Sequence, residues 1–172
     1  MDLEKNIIDN VLECFVKLGA TNTAINFYYP LPSLLRLLNC DKEHLDTAIA
    51  TFKKEEMNRL GDVNIEELPN EKGRYEVVVP VCGVEWVSKN YTPTAFLRAF
   101  IAEIQKPGST LESMACLFQT FSKDFKIDKL QEDRWALSFQ DKSVDPYVYL
   151  IEQNVFGLEY HRFTQREYQD VI

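Results

Sequence analysis

The chain has two histidines, His44 and His161, and these are the first places to look for proton chemistry. His161 lies in a run that reads as a strand, two residues after Glu159. Successive strand side chains point to opposite faces, so this spacing puts the imidazole and the carboxylate on one face. Such a pair can act as a general base. It can equally be a surface contact between strand neighbours. No motif places a nucleophile beside it, so an enzyme using His161 and Glu159 needs a pocket that also gathers a further carboxylate or Cys116. His44 follows Glu43 at the start of an expected helix and reads as an exposed first-turn residue. No residue is assigned a catalytic role.

Cys14, Cys40, Cys82 and Cys116 are widely spaced and form no C-x-x-C pair. They read as reduced thiols, mostly buried as small apolar groups. No metal site is expected, because no H-x-x-x-H, H-E-x-x-H or paired-cysteine spacing occurs. Asp124 with Asp128, and Asp141 with Asp145, lack the further ligands and central glycine of a calcium loop and read as turn residues. The glycines are scattered singly and build no phosphate loop, so no cofactor is expected.

Binding chemistry is more visible than catalysis. The last fifty residues are rich in rings, among them Phe125, Trp135, Phe139, Tyr147, Tyr149, Tyr160 and Phe163. Period-two burial predicts Trp135, Leu137 and Phe139 as core. Tyr149 and Tyr160 are expected on the far face of the same sheet. If exposed together, they form with His161 a surface for a partner, expected to be a protein.

The elements that must position these residues follow from periodicity. Leu3, Ile7, Ile8, Val11, Leu12, Phe15 and Leu18 predict a helix over 3–18, stopped at Gly19. Residues 24–29 predict a strand closed by Pro30. A short helix follows over 32–39, and Asp41 is expected to cap another over 42–60. Two runs, Val63 to Leu68 and Tyr75 to Val81, flank turn residues and predict a hairpin. Val84 to Val87 reads as a last strand or turn. Helices are expected over 93–105 and after Ser109, with Ser109 and Glu112 forming a capping box. Four short apolar or alternating runs then predict an antiparallel meander, and Thr164 is expected to cap a final helix.

The fold class is therefore α+β. A unit of residues 1–90 carries a three-helix core and a β-hairpin. A unit of residues 91–172 packs two helices on a four-stranded antiparallel sheet. Helix, strand, helix, helix and hairpin across 3–87 resembles a winged helix. The resemblance is carried by Leu34-Leu-Arg-Leu-Leu38, Asp41 to Glu56, and Glu67-Leu-Pro-Asn-Glu-Lys-Gly-Arg-Tyr75. The chain is also similar, through Tyr160-His-Arg-Phe-Thr-Gln-Arg-Glu-Tyr168, to a small bacterial family with no assigned function.

The winged-helix resemblance implies a nucleic-acid surface on the third helix and the hairpin, using Arg36, Lys42, Lys54, Lys72 and Arg74. Charge opposes that implication. The whole chain carries a net charge of -8. Residues 1–90 hold 10 basic against 15 acidic side chains, and residues 91–172 hold 9 against 12. Phosphate neutralisation supplies most non-specific affinity, and this balance forfeits it. The leading expectation is a non-catalytic regulatory or protein-interaction protein. The alternative is a DNA-binding transcriptional regulator whose C-terminal half senses a ligand or dimerises. The N-terminus lacks the apolar stretch of a signal peptide, and no run is long enough to span a bilayer, so a cytoplasmic location is expected.

Overall fold

A computed structural model describes residues 1–19 and 22–171. The chain divides into two compact units, Met1–Pro93 and Thr94–Ile172.

The first unit opens with α1 (Leu3–Leu18), whose Asp2 caps the Lys5 amide at 2.8 Å. Glu4 in its first turn and Lys17 in its last complement the helix dipole. Strand β1 (Ile25–Pro30) runs directly into α2 (Leu31–Leu38), which Asn39 ends in the left-handed region at φ 52°. Asp41 then caps a short 3-10 turn, Lys42–His44, ahead of α3 (Leu45–Glu56). The single helix expected over 42–60 is thus a tight turn followed by a shorter α-helix. Strands β2 (Asn64–Leu68) and β3 (Glu71–Val79) form the hairpin, and the sheet order is β1-β3-β2, antiparallel throughout.

Residues 84–87 are neither strand nor turn but lie in a helix, α4 (Val81–Asn90). Three valines and a glycine lower the helix propensity of α4, so the segment alone does not announce this outcome. Packing overrides it, because Val84 and Val87 are fully buried and α4 lies against α1. The core also takes Ile7, Val11, Leu34, Leu60, Val63, Val77 and Val79. One polar knot lies inside it: the Tyr29 hydroxyl donates to Asn6 Oδ1 at 2.6 Å and accepts from Asn10 Nδ2 at 3.0 Å.

The second unit begins with α5 (Ala95–Gln105), capped by Thr94. Helix α6 (Leu111–Phe121) follows. Its capping box uses Thr110 and Ser113, one residue later than the expected Ser109 and Glu112. Ser109 instead donates to the Glu103 carbonyl at 2.6 Å, which closes the link between the two helices.

Strands β4 (Phe125–Gln131), β5 (Arg134–Phe139), β6 (Val148–Asn154) and β7 (Gly157–Phe163) pair in sequence order as the expected antiparallel meander. The last helix, α7 (Gln165–Val171), has Thr164 and Glu167 capping each other's amides.

Both faces of this sheet are covered. Phe96 and Phe100 of α5 and Phe118 of α6 meet Phe139, Tyr149 and Tyr160 on one face, with ring centroids 4.4–5.9 Å apart. Such pairs contribute roughly 0.5–1.5 kcal/mol each beyond area burial. On the other face, Tyr168 of α7 packs with Ala136, Val148, Leu150 and Phe163.

Candidate functional site

Tyr149 and Tyr160 do not lie on an open far face. Leu137 pairs with Tyr149 and Ile151 with Tyr160, and directly opposed residues share a face. Both tyrosines therefore point, with Trp135 and Leu137, towards α5 and α6. Tyr149 is 0 % exposed. Its hydroxyl donates to buried Asp145 at 2.8 Å, and Asp145 also accepts from the Tyr147 amide at 2.9 Å. Burial, with the Asp145 charge beside it, pushes the Tyr149 phenol well above its ordinary range. Tyr149 is a core residue, and the expectation that it stands exposed beside Tyr160 is corrected.

His161 falls on the opposite face, where it pairs with Leu150 and is exposed. Its ring lies 6.3 Å from that of Phe163. Glu159 shares this face and is exposed too, but stands directly opposite Glu152. Among the described residues, no hydrogen bond joins His161 to Glu159. Both side chains are open to solvent, and that exposure counts against the His161–Glu159 base.

The five basic candidates are spread over four segments. Arg36 is on α2, Lys42 on the 3-10 turn, Lys54 on α3, and Lys72 and Arg74 on β3. Arg74 is bound to Glu71 at 3.1 Å and lies over the Tyr28 ring at 4.9 Å. The outward residues of the third helical segment, Lys42, Glu43, Asp46, Thr47, Ala50 and Lys54, are all exposed, so carboxylates and ammonium groups alternate there. Beside the hairpin turn, burial raises the pKa of Tyr75 most, and Glu67 and Asp46 raise it further.

Two features escape the sequence reading. The first is a cavity of about 430 Å³ whose walls come from the start of α1, the end of α2 and one side of α3. Leu37, Leu38 and Phe52 line it apolarly, while Glu4, Glu56 and Arg59 gather at one end. Arg59 donates to Glu56 at 2.8 Å and reaches Glu4 at 3.0 Å. Glu56 is only 3 % exposed. Burial, with Glu4 beside it, raises its pKa from 4.5 to about 7 despite the guanidinium. Glu56 and Arg59 read in sequence as an ordinary surface pair. Nothing local reveals that Glu4, more than fifty positions away, completes the group.

A second, larger hollow beside it holds Arg36, Cys40, Asp41 and His44. His44 Nδ1 is 2.6 Å from Asp41 Oδ1, and this bond lowers the Asp41 pKa. A thiol, an imidazole and a carboxylate are the parts of a cysteine nucleophile, but burial and the Asp41 charge push the Cys40 thiol up. A raised thiol pKa depletes the reactive thiolate.

The second missed feature is the exposed apolar pair at the centre of the β6–β7 turn. Asn154 Oδ1 accepts from the Phe156 amide at 2.8 Å, and Gly157 adopts φ 124°. Asn and Gly thus meet the needs of the turn. Between them Val155 and Phe156 stand 93 % and 95 % exposed. Their flanks are acidic. Glu152 and Glu159 face each other across the hairpin, and Glu132 and Asp133 lie in the β4–β5 turn at the same end of the sheet. The sequence carries a signal for this feature, namely two apolar residues at the centre of an Asn…Gly turn.

Fold and site together define a class: an α+β protein of two compact units, each built on an antiparallel sheet, with no metal-ligand cluster among the described residues. The chain belongs to the family described as a domain of unknown function with an E. rectale gene description (DUF3877), whose model matches residues 1–172. No curated protein and no solved structure matches it. Among the described residues, no helix is long and apolar enough to cross a membrane.

Proposed function

We propose that this protein is a non-catalytic interaction protein and that the β6–β7 turn is where it grips its partner. The observation that carries the reading is the exposure of Val155 and Phe156, at 93 % and 95 %. Neither side chain serves the fold, because Asn154 and Gly157 satisfy the turn. Fully burying a valine and a phenylalanine in a partner is worth roughly 3–6 kcal/mol together. That is enough to anchor a contact and too little to hold it alone. The acidic flanks, Glu132, Asp133, Glu152 and Glu159, specify the remainder of the partner's surface, an apolar pocket with a basic rim.

The unit Met1–Pro93 is, in this reading, a winged-helix-like module that does not depend on nucleic acid. Its β1-β3-β2 order and the helices between β1 and β2 are compatible with that shape. Three of its basic side chains are paired in place: Arg74 with Glu71, Lys53 with Asp62, and Arg59 with Glu4 and Glu56.

A photo-crosslinking amino acid placed at position 156 tests the reading in cells. The expected result is one discrete protein adduct that disappears when Val155 is replaced by Asp. A ladder of unspecific adducts, or a DNA fragment retarded by the purified protein at low salt, would overturn it.

A further inference from the structure

We propose that Glu4, Glu56 and Arg59 form a proton-dependent latch that holds the first turn of α1 against the end of α3 at the mouth of the cavity between them. The geometry is a three-sided cluster. Arg59 spans both carboxyl groups, at 2.8 Å from Glu56 and 3.0 Å from Glu4. One and the same guanidinium nitrogen makes both contacts, so the two carboxyl groups crowd a single cation. Two carboxyl groups crowded on one cation, one of them shut away from water, resist ionising together, so the cluster favours one shared proton beside the guanidinium. When the proton leaves to water, the cluster gains a second negative charge. Two like charges then remain beside a single cation, with Glu56 almost out of reach of water.

The surroundings give the deprotonated pair little help. From α1 come Asp2 and Glu4, and from α3 comes Glu55. Beyond the α2 end stand Cys40 and His44, and His44 is already engaged by Asp41. Tyr91, past α4, acts on Arg59 and not on the carboxyl groups. Arg59 is the one guanidinium among the cavity-lining residues, and it is already shared. The first turn of α1 is the part able to respond. Leu3 and the Asn6–Tyr29 bond seat it in the core, and its start carries the Asp2 cap and the bond from the Asn6 amide to the Asp2 carbonyl. The Glu56 carboxyl titrates near pH 7, which sets where the latch releases.

Hydrogen exchange of the full chain tests this, read at the amides of Lys5, Asn6, Ile7 and Ile8 and corrected for intrinsic rates. The expected result is a fall in protection of about tenfold or more between pH 6 and pH 8, confined to this turn. Amides of β5 and β6 should keep their protection. Glu56→Gln, whose amide donates to Glu4 without titrating, should abolish the pH dependence while keeping the turn protected. Should that variant fail to fold, Glu4→Gln serves in its place, since it removes the like-charge pair from the other side. Equal protection of the wild type at both pH values would overturn the proposal. So would an unchanged pH dependence in the variant, or a loss spread evenly over the whole 1–93 core.

Discussion

At the residue scale, the side chains that read as chemistry and those that carry unusual energetics are different ones. His161 is legible as a titratable group on a strand, yet it is open to solvent and paired with Leu150. Glu56 looks like one of many surface acids, yet it is buried and carries a pKa of about 7. Because its folded pKa lies above the unfolded 4.5, its contribution to stability is complete below about pH 4.5 and is lost as pH rises through 7. Chemical denaturation at pH 5 and pH 8 should show the wild type losing about 2 kcal/mol relative to Glu56→Gln. Tyr149 carries a different load. Its ring touches Phe96, Phe100 and Phe118, and its hydroxyl satisfies Asp145. Tyr149→Ala should cost about 3–5 kcal/mol by urea denaturation, from the cavity and the lost hydrogen bond to Asp145 together.

At the element scale, what the sequence discloses depends on whether an element has one buried face. Helix α1 has one, and its stripe of Leu3, Ile7, Ile8 and Val11 fixes its span almost to the residue. Strand β6 has none to spare. Val148, Tyr149, Leu150 and Ile151 are all buried, because helices cover both sides of the sheet. Alternation is absent, so the face of Tyr149 is set by its pairing with Leu137 and cannot be read from its own neighbours. Helix α4 is hidden for another reason. Gly83 argues against a helix, but it is there because a side chain would not fit. A Cβ added to it would collide with the Leu60 carbonyl oxygen and lie 2.9 Å from a Val79 methyl. Gly83→Ala should destabilise the protein by about 1–3 kcal/mol in a thermal or urea melt, although alanine is the better helix former. Phe156→Ser, on the exposed turn, should change stability by no more than about 0.5 kcal/mol in the same assay.

At the scale of the whole molecule, the charge balance is the most legible property and the partner the least. A net charge of -8 and a pI near 4.8 predict a solubility minimum close to that pH, measurable by turbidity. They also predict no gel shift with duplex DNA at about 50 mM salt, where counterion release should favour binding most. The turn bearing Val155 and Phe156 could be marked from its Asn154 and Gly157. Its acidic collar could not, because Glu132 and Asp133 reach it only through the order of strands. The short helix α7 has a consequence of its own. With one ring, Tyr168, it roofs Ala136, Val148 and Leu150. A carboxypeptidase that nibbled back past that tyrosine would unroof a greasy patch of sheet. The trimmed protein would turn from a dispersed particle into a sticky one while its hydrogen-bonded ladder was still intact.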